Sequence, residues 1–340
     1  MKIEEKLTTK DVRKTVNLLD KIIKEYKEGT AKEEKDWRTR EQRVHQRLRK
    51  VFVELKPLIE EAVNSIKIVK GETRGASPLL TLEQKTLLLL LKHLIGKSNR
   101  DMSHMLTIFL WLTDIDISYK TIERLYSDPE VRIVLHNLHL LMLKKKGITE
   151  ADSCGDGTGY ALTIKKHYAT EAQKLKDKIK KIDRRRKKRE FFFSFAMMDI
   201  KTRMYLGFGT SFKSEQEAHS NALKLCKETG IKFKSMRLDK LFSGQSSVEL
   251  YQENFGKVKM YLIPKKNATI KHSWEWKRML YLFVHDTKAF LKEYFQRNQS
   301  ESGISEDKKR TGWKVGQKRH DRIETANTLT HLWHNLYWLG

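Results

Sequence analysis

Cysteine is nearly missing: Cys154 and Cys226 are the two in 340 residues. Two thiols make neither a disulfide framework nor a cysteine-based zinc knuckle. Long apolar runs are missing as well. The richest, residues 87–91, is ended by Lys92 and His93, far short of a bilayer span. The opening MKIEEKLTTKD is charged and lacks the apolar centre of a secretion signal. There is no internal repeat, and no low-complexity tract beyond one basic run. These absences lead us to expect a reduced, intracellular protein with no membrane partner.

What the chain has in excess is positive charge. Lys and Arg number 69 against 43 Asp and Glu, a formal net charge of +26 and a pI near 9.8. Such a surplus favours a polyanion, nucleic acid before an anionic membrane, and a cytoplasmic, nucleoid-associated location. The length and the 39% hydrophobic content admit a sizeable core and more than one folding unit.

The first half reads as helices. Val12, Val16, Leu19, Ile23 and Tyr26 recur at three- and four-residue steps, as do Val44, Leu48, Val51 and Leu55. Pro57 is expected to end or kink the second helix, which resumes through Leu58, Ala62 and Ile66. We expect this N-terminal helical region, residues 1–70, to pack as a bundle, with GETRGASP (71–78) as a linker. Thr81 and Gln84 form a capping box before an apolar helix. Ser98 and Asp101 open the next, a short polar turn follows at 113–116, and SYKTIERLYSD makes a third, stopping near Pro129. Helix, turn, short helix outlines a helix-turn-helix within residues 78–146. Ile117, Ile122 and Leu125 would pack inward, leaving Tyr119, Lys120, Glu123 and Arg124 outward to read DNA.

From residue 150 the pattern turns to strands. ADSCGDGTGYALT (151–163) places Asp156 among Gly155, Gly157 and Gly159. Aspartate is a poor strand former, so one at this position suggests a role, and the glycines leave room for a backbone or ligand to come close. Residues 171–190 follow, with eleven Lys/Arg against four Asp/Glu, Arg184, Arg185 and Arg186 among them. We read this run as a basic helical insertion that tracks phosphates. Two β-rich runs, 191–198 and 203–210, make a hairpin around DIKT. A helix (214–229), a strand ending at Asp239, a short helix (247–254) and a strand (258–263) come next. A long helical run (274–295), a polar basic loop (300–314) and a last helix (321–338) complete the order. The outline is an α/β, ribonuclease H-like mixed sheet with flanking helices over residues 150–340, preceded by the all-α region.

Three acids suit that outline: Asp156 on the first strand, Asp239 at the end of the fourth, and Glu324 in the first turn of the last helix. On that helix Ile323, Ala326, Leu329, Trp333 and Leu336 form the buried face. Glu324, Asn327, Thr328, His331 and Asn335 form a polar stripe. Three such carboxylates can hold two Mg²⁺ ions about 3.5–4 Å apart for in-line phosphodiester displacement, and their hard oxygens suit Mg²⁺ or Mn²⁺. Asp152 shares strand parity with Asp156 and is its rival under a register change. Asp199 reads as a turn residue, His331 and His334 as polar packing, and Cys154 as a small strand residue.

The segments GDGTGYALTIKKHY, FSFAMMDIKTRMYLGFGTSFKSE, RLDKLFSG and RIETANTLTHLWHNLYW resemble the DDE transposases of bacterial and archaeal insertion sequences, in particular the group common in methanogenic archaea. The resemblance covers residues 118–340. It implies Asp156, Asp239 and Glu324 as a catalytic and metal-binding triad with Mg²⁺ as cofactor. It also implies that the helix-turn-helix binds the element's terminal inverted repeats. Many members of that family carry a tyrosine, an arginine and a lysine spaced around the glutamate. Around Glu324 those places hold Gln317, His320 and His331, so Lys318, Arg319 and Arg322 are the cations that would grip DNA there.

The function expected is metal-dependent cleavage and strand transfer on double-stranded DNA, at element ends and target, by at least a dimer. A nuclease or resolvase of the same fold, and a DNA-binding regulator with a degenerate catalytic domain, are the alternatives. Lys120→Ala and Arg124→Ala are expected to weaken binding to the element's ends in a gel-shift titration. Binding by the unsubstituted protein should fall steeply with salt, since several phosphates must be neutralised.

Overall fold

Amphipathic periodicity builds the first half of the chain. In α1 (Thr9–Glu28), Val12, Val16 and Leu19 are buried along one stripe. The chain is described by a computed structural model over residues 7–28, 36–66, 79–108, 110, 115–162, 191–271 and 273–340. The basic run with Arg184, Arg185 and Arg186, the linker 71–78 and half of the turn 113–116 lie outside the described residues.

Helix α2 (Trp37–Asn64) starts on Asp36, whose carboxylate accepts the Thr39 N–H, and continues through Pro57 without ending there. The expected break does not occur. Leu55, Leu58, Ile59 and Ala62 are buried on either side of the proline, and that packing offsets the lost backbone hydrogen bond. Thr81 and Gln84 make the expected capping box on α3 (Leu82–Ile95), and Gly96 closes it in the left-handed region at φ +69°. Then come α4 (Asn99–Ile108), α5 (Tyr119–Leu125) and α6 (Pro129–Lys145). Ser103 of α4 donates to the Ile117 carbonyl at 2.7 Å, tying it to the entry of α5. Ile117, Ile122 and Leu125 are buried, as their spacing predicts.

The second half wraps a six-stranded sheet among the described residues. Strands β1 (Glu150–Leu162), β2 (Phe191–Asp199) and β3 (Tyr205–Ser211) are antiparallel neighbours. Helix α7 (Glu215–Glu228) then crosses to β4 (Lys232–Arg237), parallel to β1. Helix α8 (Gln245–Phe255) crosses to β5 (Lys259–Tyr261), parallel to β4. The order β3-β2-β1-β4-β5 puts β1 in the centre. A mixed sheet of this order, flanked by helices, is a ribonuclease H-like fold.

Beyond β5 the sequence pattern was less direct. The run 274–295 is two helices, α9 (Trp274–His285) and α10 (Thr287–Tyr294), broken at Asp286, whose side chain accepts the Ala289 N–H at 3.1 Å. A 3₁₀ turn at Phe295–Arg297 leads into α11 (Asn298–Thr311), where the polarity of the sequence predicted a loop. Its buried stripe is Ser300, Gly303, Ile304 and Asp307. The period is helical, but one residue in four of it is apolar, so a hydrophobic pattern does not show it. Strand β6 (Lys314–Val315) then pairs with the far end of β1.

The last helix, α12 (His320–Leu339), is buried on nearly all sides. Its apolar face is the expected one. Its polar stripe is not a free face: Asn335 exchanges hydrogen bonds with the Tyr205 backbone at 2.7 and 2.9 Å, and His331 stacks on Phe208 at 4.6 Å. Asp307 is buried beneath it, accepting from Tyr205 Oη at 2.7 Å and from Arg310 at 3.1 Å, with His334 Nδ1 at 2.8 Å.

Gly207 and Gly209 let α7 lie directly on β3. A Cβ at Gly209 would strike the backbone at Ala218 and Ala222, whereas one at Gly159 would meet Phe191 at an ordinary 3.5 Å. Gly209→Ala should therefore cost ~2 kcal/mol or more in urea unfolding, as overpacking against immovable backbone does, while Gly159→Ala stays within ~0.5 kcal/mol.

Candidate active site

Strand register brings the first two acids together. Cys154 of β1 pairs with Arg237 of β4, so continuing both parallel chains by two residues sets Asp156 level with Asp239. Asp239 leaves β4 and opens a 3₁₀ turn, Lys240–Phe242. The turn before α11 places Arg297 above both. Its guanidinium lies 4.0 Å from Asp156 Oδ1, 3.7 Å from Asp239 Oδ1 and 2.5 Å from Glu301 Oε1, one helical turn further on. Three carboxylates thus converge on one cation, and Arg297 Nη1 is buried with no hydrogen-bond partner.

Burial pushes the Asp156 carboxyl up to about 6; Arg297 opposes this, while Glu301 and Asp239 add to it. A fourth acid stands nearby. Glu215, at the start of α7, fills the space over Gly157, and its carboxyl is raised by burial and then by Asp239. The room that the glycines of β1 leave is therefore taken by the chain's own side chains: Glu215 over Gly157, and Met236, Phe195 and Leu238 over Gly155.

Glu324 stands elsewhere. Its carboxylate is 3.4 Å from Arg132 of α6. Together they line a cavity of about 660 Å³ bounded by Phe208, Gly209 and Thr210 of β3. That edge is two strands from β1, roughly 10 Å across the sheet. The structure brings Asp156 and Asp239 together and does not bring Glu324 to them; α12 is committed to packing against β3, and its polar stripe faces that edge. The third acid on Arg297 is Glu301. The sequence carried a signal for it. Taken around Glu324, the places for tyrosine, arginine and lysine are seven before, four before and seven after, and they hold Gln317, His320 and His331. The same offsets around Glu301 give Tyr294, Arg297 and Lys308. Reading 300–314 as a loop hid that match.

Lys308 reaches β1 from α11, donating to Thr158 Oγ1 at 2.6 Å and to the Gly159 carbonyl at 3.2 Å. Asp152, the rival of Asp156, accepts from Ser235, and Asp199 accepts from the Thr202 backbone and hydroxyl at 2.7 Å, as a turn residue does. Of the residues expected to meet DNA, Lys120, Arg124 and Lys318 are exposed. Tyr119 is half-buried with Arg100 over its ring at 5.0 Å. Glu123 is ion-paired with Arg322, a second residue expected on DNA, and Arg319 is paired with Asp321 at 2.6 Å. The pair with Glu123 turns Arg322 toward the protein itself, while Arg319 stays exposed beside its near neighbour Asp321.

The donor set is three carboxylates, all hard oxygen, which suits a divalent cation of the Mg²⁺ or Mn²⁺ kind. Among the described residues no three of His, Cys, Asp and Glu stand close enough to hold an ion as placed, because Arg297 occupies the space between the acids. No helix among the described residues is long and apolar enough to cross a membrane.

A ribonuclease H-like sheet with acids gathered at its central strands defines the class of the protein. No protein-family model matches the chain. Over 338 residues, 98% of this chain and 97% of the relative, it is 39% identical to the "Probable transposase for insertion sequence element ISA1214" of Archaeoglobus fulgidus. The chain belongs to the insertion-sequence transposases.

The raised carboxyl of Asp156 has a measurable consequence. Its protonated form is favoured on folding, so the site contributes fully below pH 3.8 and loses stability as pH climbs through about 6. Asp156→Asn should stabilise the metal-free protein at pH 8, by up to roughly 3 kcal/mol for a displacement from 3.8 to about 6. The gain should vanish near pH 3.5–4 when unfolding is followed by circular dichroism in a chelator.

Proposed function

We propose that this protein cuts DNA at the ends of its own insertion sequence and joins the freed 3′ ends to a target, with Asp156, Asp239 and Glu301 as its acids. The observation that carries the reading is the convergence of these three carboxylates on Arg297, with Tyr294, Arg297 and Lys308 at the offsets from Glu301 that many of the DDE transposases it resembles have around their glutamate. Membership of the transposase family supports it, and so does a net charge of +26.

The three carboxylates would hold Mg²⁺, or Mn²⁺ in its place. Bound there, two such ions supply Lewis-acid activation of the attacking oxygen and neutralise charge on the leaving oxygen of an in-line displacement. The chain's residues do the rest. Asp156, on the central strand and mostly buried, is the fixed point of the acid set. Asp239 and Glu301 sit on a turn and a helix, nearer to solvent, where DNA can reach them. Arg297 holds the acids together, and its guanidinium is a ready donor to a phosphate oxygen once DNA arrives. Lys308, pinned by Thr158 and Gly159, offers an ammonium to a phosphate further along the strand. No protein nucleophile is required, so catalysis rests on positioning and charge stabilisation. The two ends of an element must be held at once, so the working form is at least a dimer on double-stranded DNA.

Glu301→Gln should lower cleavage of an element end by about 10³-fold or more while leaving its binding within about twofold. Glu324→Gln should keep cleavage within about tenfold of wild type. Gel analysis of cut and joined products checks both. Full cleavage by the Glu301 variant would remove that residue from the acids, and cut ends that never join would favour the nuclease alternative.

A further inference from the structure

A second guanidinium lies beside the acids. Arg237, at the end of β4, is 2% exposed, and its register partner on β1 is Cys154. It therefore shares the face of the sheet that carries Asp156, one station back along the strands. Its Nε donates to the Glu293 carbonyl at 3.0 Å, and Nη2 donates to the Glu293 carboxylate. Nη1 donates to Ser235 Oγ at 2.5 Å and to the Ser153 carbonyl at 3.5 Å. Ser235 in turn donates to Asp152. The Tyr261 ring of β5 packs on the guanidinium, its centre 4.8 Å from the guanidinium carbon.

The partners follow a pattern. Ser153 precedes Asp156 by three residues on β1, and Arg237 precedes Asp239 by two. Glu293 lies in the last turn of α10, one residue before Tyr294 and four before Arg297. One planar group thus bonds to the three chain segments that deliver Asp156, Asp239 and the turn carrying Arg297 towards Glu301. Stability alone is a poor reason for it. A buried ion pair gains little beyond its desolvation cost, and apolar residues of like volume often serve a core as well. Directed bonds add geometry instead. The guanidinium fork has fixed donor angles, and two of its bonds end on backbone carbonyls. Ladder hydrogen bonds fix β1 against β4. Helix α10 lies outside that ladder, and Arg237 bonds its last turn to it.

We propose that Arg237 is a positioning residue for the acid centre: by holding the end of α10 against β1 and β4, it sets where Arg297 and Glu301 stand relative to Asp156 and Asp239. The inference rests on the reading of Asp156, Asp239 and Glu301 as the acids. Arg237 is too buried to meet DNA and acts through the segments it joins. A misplacement of about 1 Å at a reacting centre costs on the order of 10²-fold in rate, so a loosened clamp shows in turnover before it shows in binding.

The test pairs hydrogen exchange with cleavage, on the full chain. Arg237→Lys keeps the charge and loses the fork. Glu293→Gln keeps the shape and removes the charge of a side chain that is 37% exposed, so it guards against a folding defect in the lysine variant. In a chelator, exchange read by mass spectrometry should rise about tenfold over residues 290–301 in Arg237→Lys and about threefold in Glu293→Gln. Peptides of β1, β2, β3 and α12 should stay within about twofold. With Mg²⁺ and saturating element-end duplex, cleavage by Arg237→Lys should fall about 10²-fold, while its binding of that duplex in a chelator stays within about twofold of wild type. Exchange that rises equally across the sheet would make Arg237 a stability residue and overturn the proposal. Unchanged exchange over 290–301 would overturn it too, as would full cleavage by Arg237→Lys where Glu301→Gln cuts poorly. If Arg237→Lys does not fold, Glu293→Gln decides: a rise confined to 290–301 supports the clamp, and any other result overturns it. A local rise in exchange beside full cleavage by Glu301→Gln would remove the acid assignment and leave the clamp standing.

Discussion

One guanidinium set among three carboxylates is the interaction on which the site depends. Two like charges about 4 Å apart repel by roughly 4 kcal/mol at an effective dielectric near 20. Asp156 is largely buried, so its neighbours Asp239 and Glu301 add to a cost that desolvation has already imposed. Arg297 answers that cost from within the chain. The acids can therefore be assembled by folding alone, before any outside cation or DNA is present. A concentration of negative charge is thus kept foldable by a side chain of the same chain.

The precision of that arrangement comes from how closely α11 lies on the sheet. Apart from Ile304 its buried stripe is made of small or polar residues, and a Cβ at Gly303 would meet Tyr205 Oη at 3.0 Å. Asp307 replaces apolar packing with directed bonds to Tyr205, Arg310 and His334. Hydrogen bonds are directional where hydrophobic contact is not. A helix pinned this way has little freedom to slide along β1, and sliding would carry Glu301 and Lys308 away from Asp156 and Thr158 together.

That choice of packing also explains what could be read from the sequence. The strands of the central sheet and the candidacy of Asp156 and Asp239 were legible from apolar runs and from acids set at strand positions, whereas the order of the strands and the β1–β4 register come from the structure. The capping box at Thr81 and the inward face of α5 were equally direct. Glu301 was not, because NQSESGISEDKKR has one strong hydrophobe and reads as a solvated loop. Its helical period is carried by Ser300, Gly303 and Asp307, which bury through hydrogen bonds and close approach. Glu324 drew attention because it begins an obvious helix with a polar stripe. That stripe serves Tyr205, Phe208 and Arg132. Only offsets to a tyrosine, an arginine and a lysine distinguished the two glutamates, and those are visible once 298–311 is allowed to be helical.

The last helix carries a different lesson. Trp333 donates to the Leu90 carbonyl at 2.9 Å, His93 meets Thr330 at 2.9 Å, and Lys146 caps Trp338 at 2.7 Å, while the other side of α12 bonds to β3. One continuous set of buried apolar residues runs from α1 to α12. A pin shared by both halves makes them a single mechanical body. A load on α2 or α3 would then reach the sheet through α12 as torque.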